Sequence, residues 1–411
     1  MRRGQFLLLV AFPLAVVCCA RDKSPLAPGE KPVGCAQRHI PWPSLANSPW
    51  PIVHGDVQCT GRGRYPGPKK GEIEWVFNIG RGSVNGSPVI GEDGTIYLVT
   101  NWQLYAVNPD GSLKWEFTRG FISNGSVVVG AGDVIYFATG TTYREPGVWG
   151  YLYALDNGGN LLWEYRASGM FFGLSPAIGL DGTIYLTDTE GYLHAVDGAG
   201  TQRWKVRGES GFRCQWWNSI AISPDGRALY LPGLDSTMCA VEAASGSVLW
   251  EIKVGCDVDA AALVDNQGNV YLYGKSNHDS YILSLTQEGS VRWKCDIPEV
   301  KRLHDTVDMH MDRDGNIYFC DSSYLYSIDC QGRLRSKVPY PPRGEWPGYT
   351  AIIGDSQGNV FVFMMDLYFY CFTAEGQLSF ECYAGRATGM WGALSDGRLY
   401  VTAGAQLLCI R

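Results

Sequence analysis

The stretch from Gly86 to Phe117, GSPVIGEDGTIYLVTNWQLYAVNPDGSLKWEF, decides the fold of this chain of 411 residues. It contains four short runs rich in apolar residues, around Val89, Ile96–Val99, Leu104–Val107 and from Leu113 onward. Asp-Gly dipeptides at 93–94 and 110–111 supply the left-handed backbone that tight hairpins need. The stretch therefore predicts a four-stranded antiparallel sheet, which needs neighbouring copies to bury its two apolar faces.

Copies of this unit follow along the chain. The glycine of its first hairpin recurs at Gly182, Gly226, Gly268, Gly315, Gly358 and Gly397, and a degenerate version stands at Gly132-Asp133. The tryptophan that closes the fourth run recurs at Trp163, Trp204, Trp250 and Trp293, and Ser336 and Phe380 take its place later. The spacing of about 40 to 48 residues is typical of propeller blades.

The copies begin near residues 86, 124, 174, 218, 259, 305 and 348, and an eighth, Met390–Arg411, has only three strands. Its missing fourth strand is predicted at Glu72–Phe77, which resembles Leu113–Phe117 and follows no earlier strand. We therefore expect an all-β fold, a single eight-bladed β-propeller closed by an N-terminal strand that completes the C-terminal blade.

The repeat resembles that of the pyrroloquinoline quinone (PQQ)-type propellers, whose pattern is A-x-D-x-x-T-G-x-x-x-W. Ala240–Trp250, AVEAASGSVLW, keeps the full spacing, and shorter versions end at Trp115, Trp163 and Trp204. The segment from Ser48 to Tyr65 also resembles the lead-in to the first blade of bacterial members. The resemblance covers residues 48–411 and implies the fold, whereas function has to be argued from a site.

The composition limits the partners. The formal net charge is −7, which argues against nucleic acid and anionic membrane surfaces. Residues 1–19 combine a charged start with a short apolar core, which predicts an export signal. Cys19, or Cys18, is the expected lipidation site, and an ordinary secretory signal is the alternative. The proline-containing residues 20–47 then predict a flexible tether. We expect the protein to contact the membrane only through the lipid anchor. We also expect it to be a monomer.

The cysteines beyond the signal mostly occupy core positions of the repeat. Cys239, Cys371 and Cys409 fall in third strands, where a thiol packs as a small apolar group. Cys35 and Cys59 both lie in the irregular lead-in, and they form the disulfide that we expect.

Candidate binding residues concentrate on one face of the predicted propeller. First and third hairpins are uniformly short, whereas the second hairpins and the links between blades are longer and rich in aromatic residues. The tentative binding residues there are Phe172, Trp216, Trp217, His304, Trp346 and Trp391. Loops on a rigid scaffold commonly carry function. The alternative is that these rings fill the channel and pack between blades.

Blades five to seven depart from the common repeat. Their first turns, beginning at Asp265, Asp312 and Asp355, are rich in oxygen ligands but complete no calcium motif. Carboxylates that bond turn amides explain them. In blade six, His310 and Asp308 replace the small or apolar residues that the other blades have at these positions. One interpretation is a buried, hydrogen-bonded histidine. The other is a site that binds a metal ion or transfers a proton.

The sequence contains no H-E-x-x-H and no P-loop motif. PQQ-dependent dehydrogenases stack their quinone on a tryptophan beside a disulfide of adjacent cysteines, with Glu, Asn and Asp around calcium. The adjacent pair here, Cys18-Cys19, lies in the export segment. We therefore expect no catalytic residue, no metal and no cofactor.

At the level of fold, the chain also resembles the propeller lipoproteins of outer-membrane assembly. That resemblance implies a non-catalytic scaffold that binds envelope proteins. A propeller that binds an exposed glycan or peptide through the aromatic cluster is the alternative. A divergent PQQ-dependent dehydrogenase is a third.

Overall fold

The computed structural model describes residues 35–80, 82, 84, 86–118, 125–140, 149–171, 175–213, 219–255, 258, 260–275, 280–297, 308–321, 323–339, 351–364, 368–385 and 390–411. They form eight sheets of four antiparallel strands, and the prediction of an all-β, eight-bladed propeller is confirmed. No helix long and apolar enough to cross a membrane occurs among these residues.

The blades follow one another along the chain. Blades one to four comprise β2 Val89–Ile90, β3 Ile96–Val99, β4 Leu104–Val107, β5 Leu113–Phe117; β6 Val128–Gly130, β7 Val134–Gly140, β8 Gly150–Leu155, β9 Leu161–Ala167; β10 Ala177–Ile178, β11 Ile184–Thr187, β12 Leu193–Val196, β13 Gln202–Val206; β14 Ala221–Ile222, β15 Ala228–Pro232, β16 Thr237–Glu242, β17 Val248–Lys253. Blades five to eight comprise β18 Leu263–Val264, β19 Val270–Lys275, β20 Ser280–Leu285, β21 Val291–Asp296; β22 His310–Met311, β23 Ile317–Cys320, β24 Tyr324–Ile328, β25 Leu334–Pro339; β26 Ala351–Gly354, β27 Val360–Phe363, β28 Tyr368–Phe372, β29 Leu378–Tyr383; β30 Met390–Ser395, β31 Arg398–Ala403, β32 Gln406–Ile410 and β1 Ile73–Asn78.

Strand β1 closes the ring as the sequence predicts. It pairs antiparallel with β32, so the eighth sheet has the order β1-β32-β31-β30. Trp75 of β1 packs on Tyr400, with ring centroids 5.9 Å apart. Arg398 donates to both carboxylate oxygens of Glu74, at 2.8 and 3.1 Å. The two ends of the propeller are thus joined within one blade.

Burial differs between the middle strands and the outer strand of a blade. The second and third strands are buried at nearly every position, and β3 and β4 of the first blade are buried throughout. Both of their faces are covered by neighbouring blades, which explains their nearly continuous apolar sequence. The fourth strand consists mostly of exposed and half-buried residues, as in β5. It therefore forms the rim.

The recurring tryptophan joins six of the blades to the blade that follows. Its indole Nε1 donates to a main-chain carbonyl in the third hairpin of the following blade: Trp75 to Pro109, Trp115 to Asn157, Trp163 to Gly198, Trp204 to Ala243, Trp250 to Gln287 and Trp293 to Cys330, at 2.8–3.2 Å. A Cβ at Gly246 would lie 2.8 Å from the Trp204 ring, and φ there is 75°. The motif needs its glycine both for the turn and for this close packing.

Aspartates build the first turns of blades five to seven. Asp265 Oδ1 accepts from the amides of Gln267 and Asn269, both at 2.9 Å, and its Oδ2 accepts from the Asn269 side chain. The turns at Asp312 and Asp355 repeat these bonds. The hydrogen-bonded turn is therefore confirmed as the explanation of this pattern.

The lead-in is packed against the propeller from Cys35 onward. Cys35 forms a disulfide with Cys330 in the third hairpin of blade six, with 6.0 Å between the Cα atoms. The predicted Cys35–Cys59 pair is wrong, since Cys59 is a free, buried thiol. The Trp42 indole donates to Ile178 at 2.8 Å, and Ala46 donates to Val129 at 2.9 Å. Residues 35–47, the end of the predicted tether, are thus held by bonds to several blades.

Candidate functional site at the central channel

Residues 50–61 of the lead-in fill the central channel. At the inner-strand ends that lead into the first hairpins, main-chain amides donate to this segment: Ile90 to Trp50, Val129 to Pro51, Ile222 to Val57, Val264 to Gln58, Met311 to Thr60 and Gly354 to Gly61, at 2.7–2.9 Å. One short segment can bond to six blades only on the propeller axis. The chain itself therefore blocks the channel on the side of the first hairpins.

One position of the inner strands forms a ring around this axis, as the strand register shows. It is occupied in order by Ser87, Ser126, Ser175, Ser219, Ala261, Asp308, Ala351 and Trp391. Ser126 Oγ accepts from the Ser87 amide at 2.7 Å, so these side chains bridge neighbouring blades. Small residues are expected where eight blades converge. An aspartate in blade six and a tryptophan in blade eight break the pattern.

His54 of the lead-in lies against both exceptional residues. Its Nδ1 is 3.4 Å from Asp308 Oδ2, and its ring meets the Trp391 ring edge to face, with centroids 6.2 Å apart. His54 is 4% exposed. Its backbone φ is 61°, a left-handed conformation that residues other than glycine rarely adopt. Strained backbone of this kind clusters at functional sites.

The polar atoms of this pair are incompletely satisfied. His54 Nε2 and Asp308 Oδ2 are buried and make no hydrogen bond with the described residues. Burial raises the pKa of Asp308, and this rise is partly offset by His54 and by the hydrogen bond from the Met309 amide. A histidine beside a carboxylate can hold or pass a proton, or bind a small polar ligand. We take His54, Asp308 and Trp391 as the candidate functional site.

His310 lies on the same strand but belongs to the packing of the channel. Its Nδ1 donates to the Thr60 carbonyl at 2.9 Å, and its ring stacks on Tyr318 with centroids 5.7 Å apart. Burial lowers the pKa of His310 to about 4. The buried, hydrogen-bonded histidine is therefore the correct interpretation of this residue.

The structure describes one of the six predicted binding residues. Trp391 is 9% exposed and packs in a core cluster with residues of blades seven and eight. The other predicted binding residues, Phe172, Trp216, Trp217, His304 and Trp346, lie outside the described residues, as do Cys18 and Cys19. His54 was missed by sequence reasoning because the lead-in has no repeat against which an unusual residue stands out.

The site does not fit the quinone that PQQ-type dehydrogenases carry. Within the described ranges, no group of three or more His, Cys, Asp or Glu side chains could hold a metal ion such as the calcium of those enzymes. Residues 50–61 also occupy the axis from the side of the first hairpins. The donor set at His54 and Asp308 is too small for such a site.

Comparisons with known proteins agree with the fold. The family model described as outer membrane protein assembly factor BamB matches residues 189–362, less than half of the chain. A search of curated proteins found no match. The crystal structure of BamB from Moraxella catarrhalis superposes with a TM-score of 0.60 at 14% identity, over 82% of this chain and 98% of that one.

Quinohemoprotein alcohol dehydrogenases are similar to the same degree. ADHIIG from Pseudomonas putida HK5 gives a TM-score of 0.63 at 14% identity, over 89% of this chain and 80% of that one. The enzyme from Comamonas testosteroni gives 0.61 at 14% identity, over 88% and 80%. Identities this low carry the fold and no activity. Repeat, blade count and these matches agree on the fold: the chain is an eight-bladed propeller, similar to those of the PQQ-like type.

Proposed function

We propose that this chain is an exported, non-catalytic propeller that binds protein partners at the bacterial cell envelope. The match of residues 189–362 to the BamB family model carries the proposal. The superposition supports it, since it covers 98% of the BamB chain from Moraxella catarrhalis. A rigid scaffold whose channel is filled by its own lead-in suits a binding role.

The partner is proposed to bind the face opposite the first hairpins. Residues 50–61 and the lead-in before them cover the channel mouth on the first-hairpin side. The second hairpins and the blade-to-blade links are expected on the other side, and their sequences contain Phe172, Trp216, Trp217, His304 and Trp346. Large aromatic residues supply most of the binding energy in many interfaces.

A lipid on Cys19, or Cys18, is the proposed anchor. Replacing both with serine should move the protein from the membrane fraction to the soluble fraction and leave its melting temperature unchanged. Membrane sedimentation of the double variant would contradict acylation at this site.

A pulldown from envelope membranes tests the partner-binding face. Trp216→Ala and Trp346→Ala should each weaken capture of the partner by more than about tenfold, or 1.4 kcal/mol. Leu249→Ala is the matched control, because this rim residue is 52% exposed on β17. Trp391→Ala is less suitable, since its buried ring contributes to the core. Unchanged capture with the tryptophan variants would refute the face, and a large fall in melting temperature would assign those rings to packing.

A ligand-binding propeller is the second candidate, and the Trp391–His54 contact beside Asp308 favours it. An aromatic ring next to polar groups is a common feature of sites for sugars and peptides. A divergent quinoprotein dehydrogenase is the third candidate, and its support is the similarity of fold alone. Absorbance spectra with added PQQ test it, and a bound-quinone spectrum would favour the dehydrogenase over the scaffold.

A further inference from the structure

A cavity of about 310 Å³ lies within the lead-in, on the first-hairpin side of the channel. Residues 39–43, 45–47, 51, 55–58 and 64 of the lead-in line it, together with Glu92 and Ala131 from the first hairpins of blades one and two. Small-molecule sites begin at about this volume. The cavity is distant in role from the proposed partner-binding face, so the inference does not depend on the proposed function.

The cavity has an apolar wall that is fixed in place. Ile40, Pro41, Trp42 and Val57 supply apolar surface. The Trp42 indole is held by its bond to Ile178, and the Val57 carbonyl accepts from Ile222 at 2.7 Å. Little conformational entropy would be lost on binding, because these groups are already ordered.

Arg64 is the one cavity-lining cation with no hydrogen bond or ion pair to the described residues. The acidic groups of the cavity are engaged elsewhere. Asp56 accepts from the amide and hydroxyl of Thr60, and Glu92 accepts from the Asn47 amide at 2.9 Å. Partial burial and the nearby Arg64 lower the pKa of His39, so His39 is neutral near pH 7. The guanidinium of Arg64 therefore remains available to a ligand, whereas the oxygens of Asp56 and Glu92 keep their negative charge and already accept hydrogen bonds.

We propose that this cavity binds a monocarboxylate joined to an apolar group, as in a peptide whose carboxylate lies beside an apolar side chain. The guanidinium of Arg64 would bind the carboxylate, with up to two parallel hydrogen bonds. The apolar group would pack on Trp42 and Val57. Asp56 and Glu92 disfavour a doubly charged ligand such as a phosphate, because like charges repel at short range.

Calorimetric titration with N-acetyl-Leu-Leu tests the proposal. The free acid should bind at least about tenfold more tightly than the same dipeptide with a C-terminal amide, or 1.4 kcal/mol. Arg64→Gln should weaken binding of the acid by a similar factor. The matched control is Arg227→Gln, which removes the same charge from the exposed first turn of blade four and should change the affinity less than about twofold.

Two further measurements separate the site from general effects. Glu92→Gln keeps an acceptor for the Asn47 amide and removes a negative charge, so it should strengthen binding, which a misfolded variant cannot do. Acetate should bind at least about tenfold more weakly than the dipeptide acid, since it lacks the apolar group. N-acetyl-Leu-Asp-amide distinguishes an aspartate side chain from a chain terminus as the source. Equal affinity of acid and amide, equal effects of the two arginine variants, or acetate binding as tightly as the dipeptide would overturn the proposal.

Discussion

Gly354 lies so close to His310 that a methyl group has no room. A Cβ at this position would be 2.1 Å from His310 Nε2 and 2.6 Å from its Cε1. Both residues are fixed, because the Gly354 amide bonds to Gly61 and His310 bonds to Thr60. Gly354→Ala should therefore lower the free energy of unfolding by about 1–3 kcal/mol, the usual cost of overpacking. Urea unfolding of the two proteins measures the difference.

Gly198→Ala is the control for that substitution. No heavy atom lies within 4 Å of a Cβ at Gly198, and its φ is not in the left-handed range. It should be neutral or slightly stabilising, since alanine reduces the entropy of the unfolded chain. Equal effects of the two substitutions would show that contact with His310 is not the cause.

The buried His310 should make the protein less stable in mild acid. Its pKa is about 4 in the folded protein, below its ordinary value of 6.5. Between these two values the unfolded chain binds a proton that the folded chain does not, so stability falls as the pH is lowered. The expected loss at this site is about 1.4 kcal/mol per pH unit, or about 2 kcal/mol from pH 6.5 to about pH 5.

His310→Gln isolates that contribution. A glutamine can still donate to Thr60 but does not titrate, so the variant should lose less stability than the wild type between about pH 7 and about pH 5. Burial raises the pKa of Asp308, and its protonation acts in the opposite direction. That effect is common to both proteins and cancels in the comparison. The free energy of unfolding is measured by urea denaturation of both proteins at the two pH values. An equal loss of stability in both proteins would contradict the assignment to His310.

At the residue scale, the sequence predicted groups that belong to the repeat. The turn aspartates were readable because three copies show the same spacing, and so were the apolar cysteines of the third strands. The Cys35–Cys330 disulfide was not, because its partners are 295 residues apart. The sequence of the lead-in does not indicate on which blade Cys35 packs. His54 escaped for the same reason.

At the scale of elements, the tryptophan found in six of the rim strands should stabilise two blades together. Trp163 packs on Tyr136 within its blade and donates to Gly198 of the next at 2.9 Å. Trp163→Phe removes the hydrogen bond and keeps a ring, so the free energy of unfolding should fall by about 0.5–1.5 kcal/mol. Thermal melting measures it. Leu162→Ala, at an adjacent residue that is 51% exposed, should change stability by less than about 0.5 kcal/mol.

Strand positions followed from apolar alternation and turn glycines, whereas inner-strand lengths did not. Several inner strands have two residues, as β2 and β22 show. The amide of the last residue of such a strand donates to the lead-in, which thus takes over part of the main-chain pairing. A repeat pattern records which residues are similar, and it does not record where a partner from outside the repeat replaces a strand neighbour.

At the scale of the whole molecule, ring closure was predictable and the filled channel was not. The eighth copy lacks a fourth strand and the first is preceded by a surplus one, so closure follows from counting. The path of residues 50–61 depends on main-chain bonds to six different blades. Main-chain bonds carry no signature of residue type, which is why the sequence left this segment without a location.

Closure by β1 should hold the whole ring together. Replacing Ile73–Phe77 with a glycine-serine linker of equal length keeps the chain connected but removes the fourth strand of blade eight. It also removes Trp75, which packs on Tyr400 and donates to Pro109 of blade one, and Phe77, which contacts Tyr105. Trp75 and Phe77 are half-buried, so each ring contributes less than the about 3–5 kcal/mol of a fully buried one. Because the main-chain pairing of β1 with β32 is lost as well, the melting temperature should fall by several degrees.

The comparison that decides the matter is removal of residues 21–34. It shortens the same end of the chain but leaves Cys35 and the lead-in bonds made by the described residues in place. We expect this deletion to leave the melting temperature within about 2 °C of the wild type, the size of a surface change. If the linker variant has the same melting temperature as the deletion variant, blade eight does not need its N-terminal strand. The ring would then be held by contacts between blades alone. If the linker variant alone unfolds early, the weakest seam of the propeller is the place where its two ends meet.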